Sequence, residues 1–170
     1  MLSDHRPFLD QLFAQLEARP GALDHLHLDH ICYRTESEDQ YRSFRDALVN
    51  KHELLVESLI GGRPIATFRL STPLPYRHRL IPLLELPAPK PGRPYPAGWE
   101  HVELVTDRPL AEFADHLPEL VTVPPTDFDR NGMQKARNPD LRLRLGGGLS
   151  VKFHEQPLDE VIAAEMESGQ

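Results

Sequence analysis

The feature that most constrains this chain is an order of elements that occurs twice. From 26 to 87 the sequence predicts strand, helix, strand, strand, strand, and from 98 to 155 the same order returns. The join between them, Pro87-Ala88-Pro89-Lys90-Pro91-Gly92 and on to Pro96, cannot continue either a strand or a helix. A repeated supersecondary unit of this size implies two similar modules packed together. His30 and His101, on the first strand of each half, lie 71 positions apart, and Glu85 and His154, on the last strands, lie 69 apart. Near-equal displacements are what duplication produces.

The elements follow from periodicity. Phe8, Leu9, Leu12, Phe13 and Leu16 fall at helical spacing, so a helix is expected over 4–18, stopped by Arg19-Pro20-Gly21. A strand over 26–34 is followed by a capping box, Thr35 with Glu38 or Ser37 with Gln40, and a helix to Val49 burying Tyr41, Phe44 and Leu48. The period then changes to two: strands are expected over 53–60 and 65–70 around a Gly61-Gly62 turn, with a proline-containing connection over 71–77 and a strand over 80–86. In the second half a strand over 100–106 leads to a helix opened by Pro109. A short strand over 120–123, a long polar loop over 124–139 and a hairpin over 141–154 follow. A C-terminal helix is expected over 157–167, with Leu158, Val161 and Ile162 inward.

Charge and composition exclude several classes. The net charge of −7 and the lack of a basic stripe argue against nucleic acid as a partner. No segment is apolar for long enough to span a bilayer, so no membrane role is expected. Cys32 is the single cysteine, which precludes an intrachain disulfide and suits a reducing compartment. The opening Met1-Leu2-Ser3-Asp4 has neither the basic start nor the apolar run of a signal peptide, so the expected location is cytoplasmic.

Four side chains stand out on otherwise apolar strands: His30, Glu85, His101 and His154. If the halves pair about a pseudo-twofold axis, all four can point into one cavity. Imidazoles with one carboxylate suit a divalent ion such as zinc, iron, manganese or nickel. Singly, each has an ordinary alternative: a hydrogen-bonded core histidine, or a carboxylate paired with an arginine. Glu155 is the inward group in place of His154 if the last strand bends. Alternation puts Arg34 beside His30, Glu103 and Trp99 beside His101, and Lys152 beside His154, while Arg63 adjoins the glycine turn. The charged members of that set serve substrate binding, with Glu103 as a catalytic base, or a structural ion-pair network. Trp99 lines the pocket or anchors packing. His25 and His27 have the parity opposite to His30 and face solvent, and His5, His52, His78 and His116 read as surface residues.

Several segments carry a resemblance: Asp29-His30-Ile31 with Arg34, Gly62-Arg63-Pro64-Ile65, Glu85-Leu86-Pro87, Gly98-Trp99-Glu100-His101-Val102-Glu103, Asn138-Pro139 and Lys152-Phe153-His154. Together they resemble the YecM-like proteins, a branch of the vicinal oxygen chelate superfamily, which includes glyoxalase-type isomerases, extradiol dioxygenases and bleomycin-resistance proteins. The resemblance implies an α+β fold. Two paired βαβββ modules, 26–87 and 98–155, form a cupped mixed sheet with extra N- and C-terminal helices, all within one domain over 1–170. It further implies a metal held by the first and last strands of each module, at His30, Glu85, His101 and His154. Superfamily members often place a Glu at the fourth position. Two functions follow as expectations: a metal-dependent isomerase, lyase or oxygenase acting on a small carbonyl or vicinal-oxygen substrate, or a non-catalytic protein that sequesters a small molecule.

Overall fold

The computed structural model describes residues 2–169. Helix α1 spans Arg6–Leu16, strand β1 His27–Arg34, α2 Glu38–Val49, β2 Glu53–Ile60, β3 Arg63–Tyr76 and β4 Arg79–Pro87. The second half supplies β5 Gly98–Val105, α3 Leu110–His116, β6 Phe128–Asp129, β7 Asp140–Arg144, β8 Ser150–His154 and the closing helix α4 Leu158–Glu167. All eight strands join one open sheet in the order β2-β3-β4-β1-β5-β8-β7-β6. The order is palindromic about the β1–β5 contact. Each half pairs its first strand with its last in parallel, β1 with β4 and β5 with β8, and the two first strands meet antiparallel at the centre. Two βαβββ modules therefore lie side by side, as the repeat required.

Alternation assigns the two faces. Ile31, Tyr33, Leu84, Leu86, Val102, Leu104, Val151 and Phe153 join one apolar core with Leu9, Leu12, Phe13 and Leu16 of α1. Each such side chain stabilises by roughly 1.5–3 kcal/mol before the cost of ordering it. His30, Glu85, His101, Glu103, Lys152 and His154 are then left for the opposite face.

Ser37 is the N-cap of α2, its hydroxyl accepting from the Gln40 amide, which selects one of the two proposed capping pairs. Gly61 and Gly62 close the β2–β3 hairpin with φ of 59° and 80°, a turn that needs two residues in the left-handed region.

Several boundaries differ from expectation. The stretch over 71–77 is not a separate connection: β3 continues to Tyr76, with a register shift between Arg69 and Leu74 that takes Pro73 off the ladder, after which Pro75 pairs with Leu80. Residues 120–123 form no strand; Val121 makes one isolated bridge to Glu17. The edge strand of the second module is instead Phe128–Asp129, inside the expected loop, too short to show an alternating pattern. His5 is buried, its Nε2 3.0 Å from the Pro75 carbonyl, so it is not a surface residue. Among the described residues no helix is long and apolar enough to cross a membrane.

Candidate metal centre

Two bulges at the β1–β5 seam build the site. Leu28 pairs with Leu104 but His30 with Glu103, so Asp29 is the extra residue on β1. Cys32 pairs with His101 but Tyr33 with Trp99, so Glu100 is the extra residue on β5. A bulge resets alternation. The first turns Asp29 toward the His30 ring. The second sends Trp99 to the core side, where its ring lies 4.9 Å from Tyr33 and 6.3 Å from Phe8. Trp99 is thus a packing anchor, and Glu100 lies with Cys32 and His101 instead.

His30, Glu85, His101 and Glu103 each offer one ligand atom, all within 4.8 Å of one another. His30 Nε2 is 3.7 Å from Glu85 Oε2 and 3.4 Å from Glu103 Oε1, and His101 Nε2 is 3.6 Å and 3.5 Å from the same two atoms. These gaps are too long for hydrogen bonds. Two donors about 2.1 Å from a tetrahedral zinc, by contrast, lie about 3.4 Å apart. The Nε2 atoms of His30, His101 and His154 are all buried without a hydrogen-bond partner, a costly arrangement unless something else meets them. The far side of two rings is fixed. His30 Nδ1 donates to Asp29 Oδ2 at 2.8 Å, and His154 Nδ1 donates to the Gln156 carbonyl at 2.6 Å. This is how proteins orient an imidazole whose other nitrogen binds a metal. The donor set fits a divalent cation.

Of the residues singled out from sequence, His30, Glu85 and His101 converge in this cluster. Glu103 lies inside it rather than beside it, because the Asp29 bulge puts it opposite His30. His154 is next to it, its Nε2 3.7 Å from Glu103 Oε2 and 3.6 Å from Asp29 Oδ2. Glu155 turns away and caps α3 by accepting from the Leu110 amide. Register gives Glu85 a different counterpart from the one that spacing indicated: Cys32 faces Glu85 as Glu103 faces Lys152. Where one module has a carboxylate on its last strand, the other has Lys152, and the carboxylate has crossed to Glu103 on the first strand. The Lys152 ammonium donates directly to Glu103 Oε1. Arg63 and Lys152 line a cavity of about 420 Å³ beside Glu85 and His101. Arg34 does not reach it: its guanidinium donates to the Pro96 carbonyl and lies over Tyr95.

Two supporting residues carried no role in the sequence reading. Asp29, fully buried, holds His30 and accepts the first backbone amide of α4, from Leu158, at 3.1 Å. Asn138, with φ of 37°, donates to the Gln156 carbonyl that orients His154.

Burial opposes a charge on His30, but Glu103, Glu85 and the Asp29 bond outweigh it and raise its pKa to about 10. Burial likewise opposes ionisation of Glu85, yet the His30 charge and the His101 contact bring it down to about 2. In His154 burial prevails over Glu103 and Asp29, its pKa falls, and the ring stays neutral. For the metal-free protein the consequence is a definite pH profile. The His30 contribution is complete below its ordinary value of 6.5 and is lost as pH rises toward about 10. The Glu85 contribution is complete above 4.5 and is lost as pH falls toward about 2. From these two groups thermal melts of metal-free protein should peak at about pH 4.5–6.5, and His154, harder to protonate when buried, draws the optimum toward the upper end of that range. A melting temperature that climbs from neutral to alkaline pH would contradict the attraction of His30 to Glu85 and Glu103.

The model of the family described as YecM protein matches residues 1–165. The chain belongs to the YecM family. Protein YecM of Escherichia coli K12 is 31% identical over 151 residues, covering 82% of this chain and 79% of that protein. A solved structure described as Structural Genomics, Protein EC4020 superposes with a TM-score of 0.71 at 28% identity, covering 94% of this chain and 86% of that one. The homoprotocatechuate 2,3-dioxygenase of Arthrobacter globiformis is more distant, at 13% identity and a TM-score of 0.47 over 76% of this chain and 37% of that one. Membership of the YecM family agrees with the resemblance to the YecM-like proteins carried by the sequence.

Proposed function

We propose that this YecM-family chain is a divalent-metal-dependent enzyme of the vicinal oxygen chelate type, acting on a small substrate with a carbonyl or two neighbouring oxygens. The observation that carries this is the set of three buried, partnerless Nε2 atoms grouped with two carboxylates. His30, His101 and Glu85 are the primary ligands, a two-histidine, one-carboxylate set that suits zinc, iron, manganese or nickel and leaves positions open. Glu103 and His154 complete the inner wall. The ion, when bound, supplies a Lewis acid that polarises a substrate oxygen.

The chain's own groups do the rest. Asp29 and the Gln156 carbonyl fix the two rings, so little reorganisation is needed on binding. Lys152 holds Glu103 Oε1, so Oε2, facing His154, is the oxygen left to serve as base. Arg63 and Lys152, on the cavity wall, orient the substrate oxygens. A sequestering protein would need a roomier aromatic groove. Here Tyr33 and Trp99 belong to the core side, and charged groups line the cavity instead.

Metal content decides the matter. Metal-free protein incubated with Zn²⁺, Mn²⁺, Ni²⁺ or anaerobic Fe²⁺ and then desalted should retain close to one ion per chain by plasma mass spectrometry. Protein that retains none of the four after desalting would defeat the proposal.

A further inference from the structure

The cavity beside the ligands has a charge balance unlike that of the whole chain. The protein carries −7, yet Arg63, Lys90, Lys135, Arg142 and Lys152 line this one cavity, against only Glu85 and Glu100. Two of the five cations are neutralised by carboxylates, Lys135 by Asp140 and Lys152 by Glu103. Arg63 spends its Nη1 on the Ala88 carbonyl and the Tyr95 hydroxyl, both uncharged. Arg142 and Lys90 make no ion pair among the described residues. Arg142 also sits directly opposite Lys152 across the β7–β8 ladder, where like charges repel. The nearest acid in register, Asp129 on β6, gives its carboxylate to Arg144 and Asn131 instead. Three cations without a carboxylate partner, set against Glu100 on the same lining, leave the cavity net positive, and an anion bound there relieves it.

We infer that the compound reaching the metal centre carries a second oxyanion, a carboxylate or a phosphate, on an arm beyond its chelating oxygens. Arg142, with Arg63 and Lys90, binds that group. Arg142 supplies a planar fork suited to either oxyanion. Ile60 and Ile65, which line the same cavity, suit a short aliphatic arm between the two ends. The inference rests on the metal reading for the chelating end and stands apart from it for the anionic end.

Matched pairs of small acids test it by calorimetry. With metal-loaded protein, 2-oxoglutarate is compared with 2-oxopentanoate, which lacks only the distal carboxylate, and 3-phosphoglycerate with glycerate, which lacks only the phosphate. At least one charged-arm compound should bind about 10-fold or more tightly than its partner, and the pair that shows the preference identifies the oxyanion. Arg142→Gln should bring that ratio to within about twofold while leaving the uncharged-arm compound unaffected, and Arg142→Lys should retain most of the preference. A second arm uses metal-free protein with glutarate and with inorganic phosphate, neither of which needs the ion. Binding that Arg142→Gln weakens supports the anion subsite even where no metal is retained. Ratios near one in both pairs, or a preference indifferent to Arg142→Gln, overturn the inference. If no metal is retained, glutarate and phosphate binding unaffected by Arg142→Gln overturns it as well.

Discussion

Replacing His30 by alanine is expected to remove stoichiometric metal binding altogether. His30 Nε2, like that of His101, approaches both carboxylates of the cluster, at 3.7 Å and 3.4 Å, and the His30 ring alone is central, its centroid 6.2 Å from those of both His101 and His154. Without it Glu85 and Glu103 lose the nitrogen that would share an ion with them. The loss should exceed the roughly 10–100-fold that removal of a supporting partner costs. Asp29→Asn provides that smaller comparison: an amide can still accept from His30 Nδ1, but without the charge that strengthens the ring as a donor. Metal titrations with circular dichroism on each variant separate lost affinity from lost fold. His30→Ala protein that is folded and still binds one ion with wild-type affinity would place the ion elsewhere.

Parity along β1, β4 and β5 is enough to place His30, Glu85 and His101 on one face from sequence, because strand alternation and the repeat each point the same way. It failed where the backbone departs from alternation. Asp29 and Glu100 are bulge residues, and no pattern of side-chain types marks a bulge, so the orienting role of Asp29 and the core packing of Trp99 were hidden. Counting residues equated Glu85 with His154. The second module has a shorter path between its first and last strands, with β6 reduced to Phe128–Asp129, so register equates Glu85 with Lys152. The fourth-ligand question arises from that two-residue difference. The cavity cations were equally scattered in sequence: Lys90 lies in the proline-rich join and Arg142 on β7, and only the sheet order places them around one opening. The palindromic sheet, in contrast, follows from the repeat itself, since two like modules that join through their first strands can make no other order.

Phe153→Ala should be the most destabilising single core change on β8. Phe153 is fully buried, its ring 5.1 Å from Phe113 of α3, and it sits between Leu104 and Leu141 in the ladder. Truncation removes an aromatic side chain from a site flanked by the fully buried Leu104 and Leu141 of the neighbouring strands, and a loss of about 3–5 kcal/mol is expected. For a chain of this size that lowers the melting temperature by roughly 6–20 °C. Phe153→Leu keeps most of the volume and should cost under about 1.5 kcal/mol. The site face supplies a second readout. Lys152 and His154 flank Phe153 and point the other way, so well below the melting transition the alanine variant should still bind one ion, with affinity reduced only as far as β8 shifts. A melting temperature within about 2 °C of wild type would mean that the α3–β8 contact does not hold the second module together.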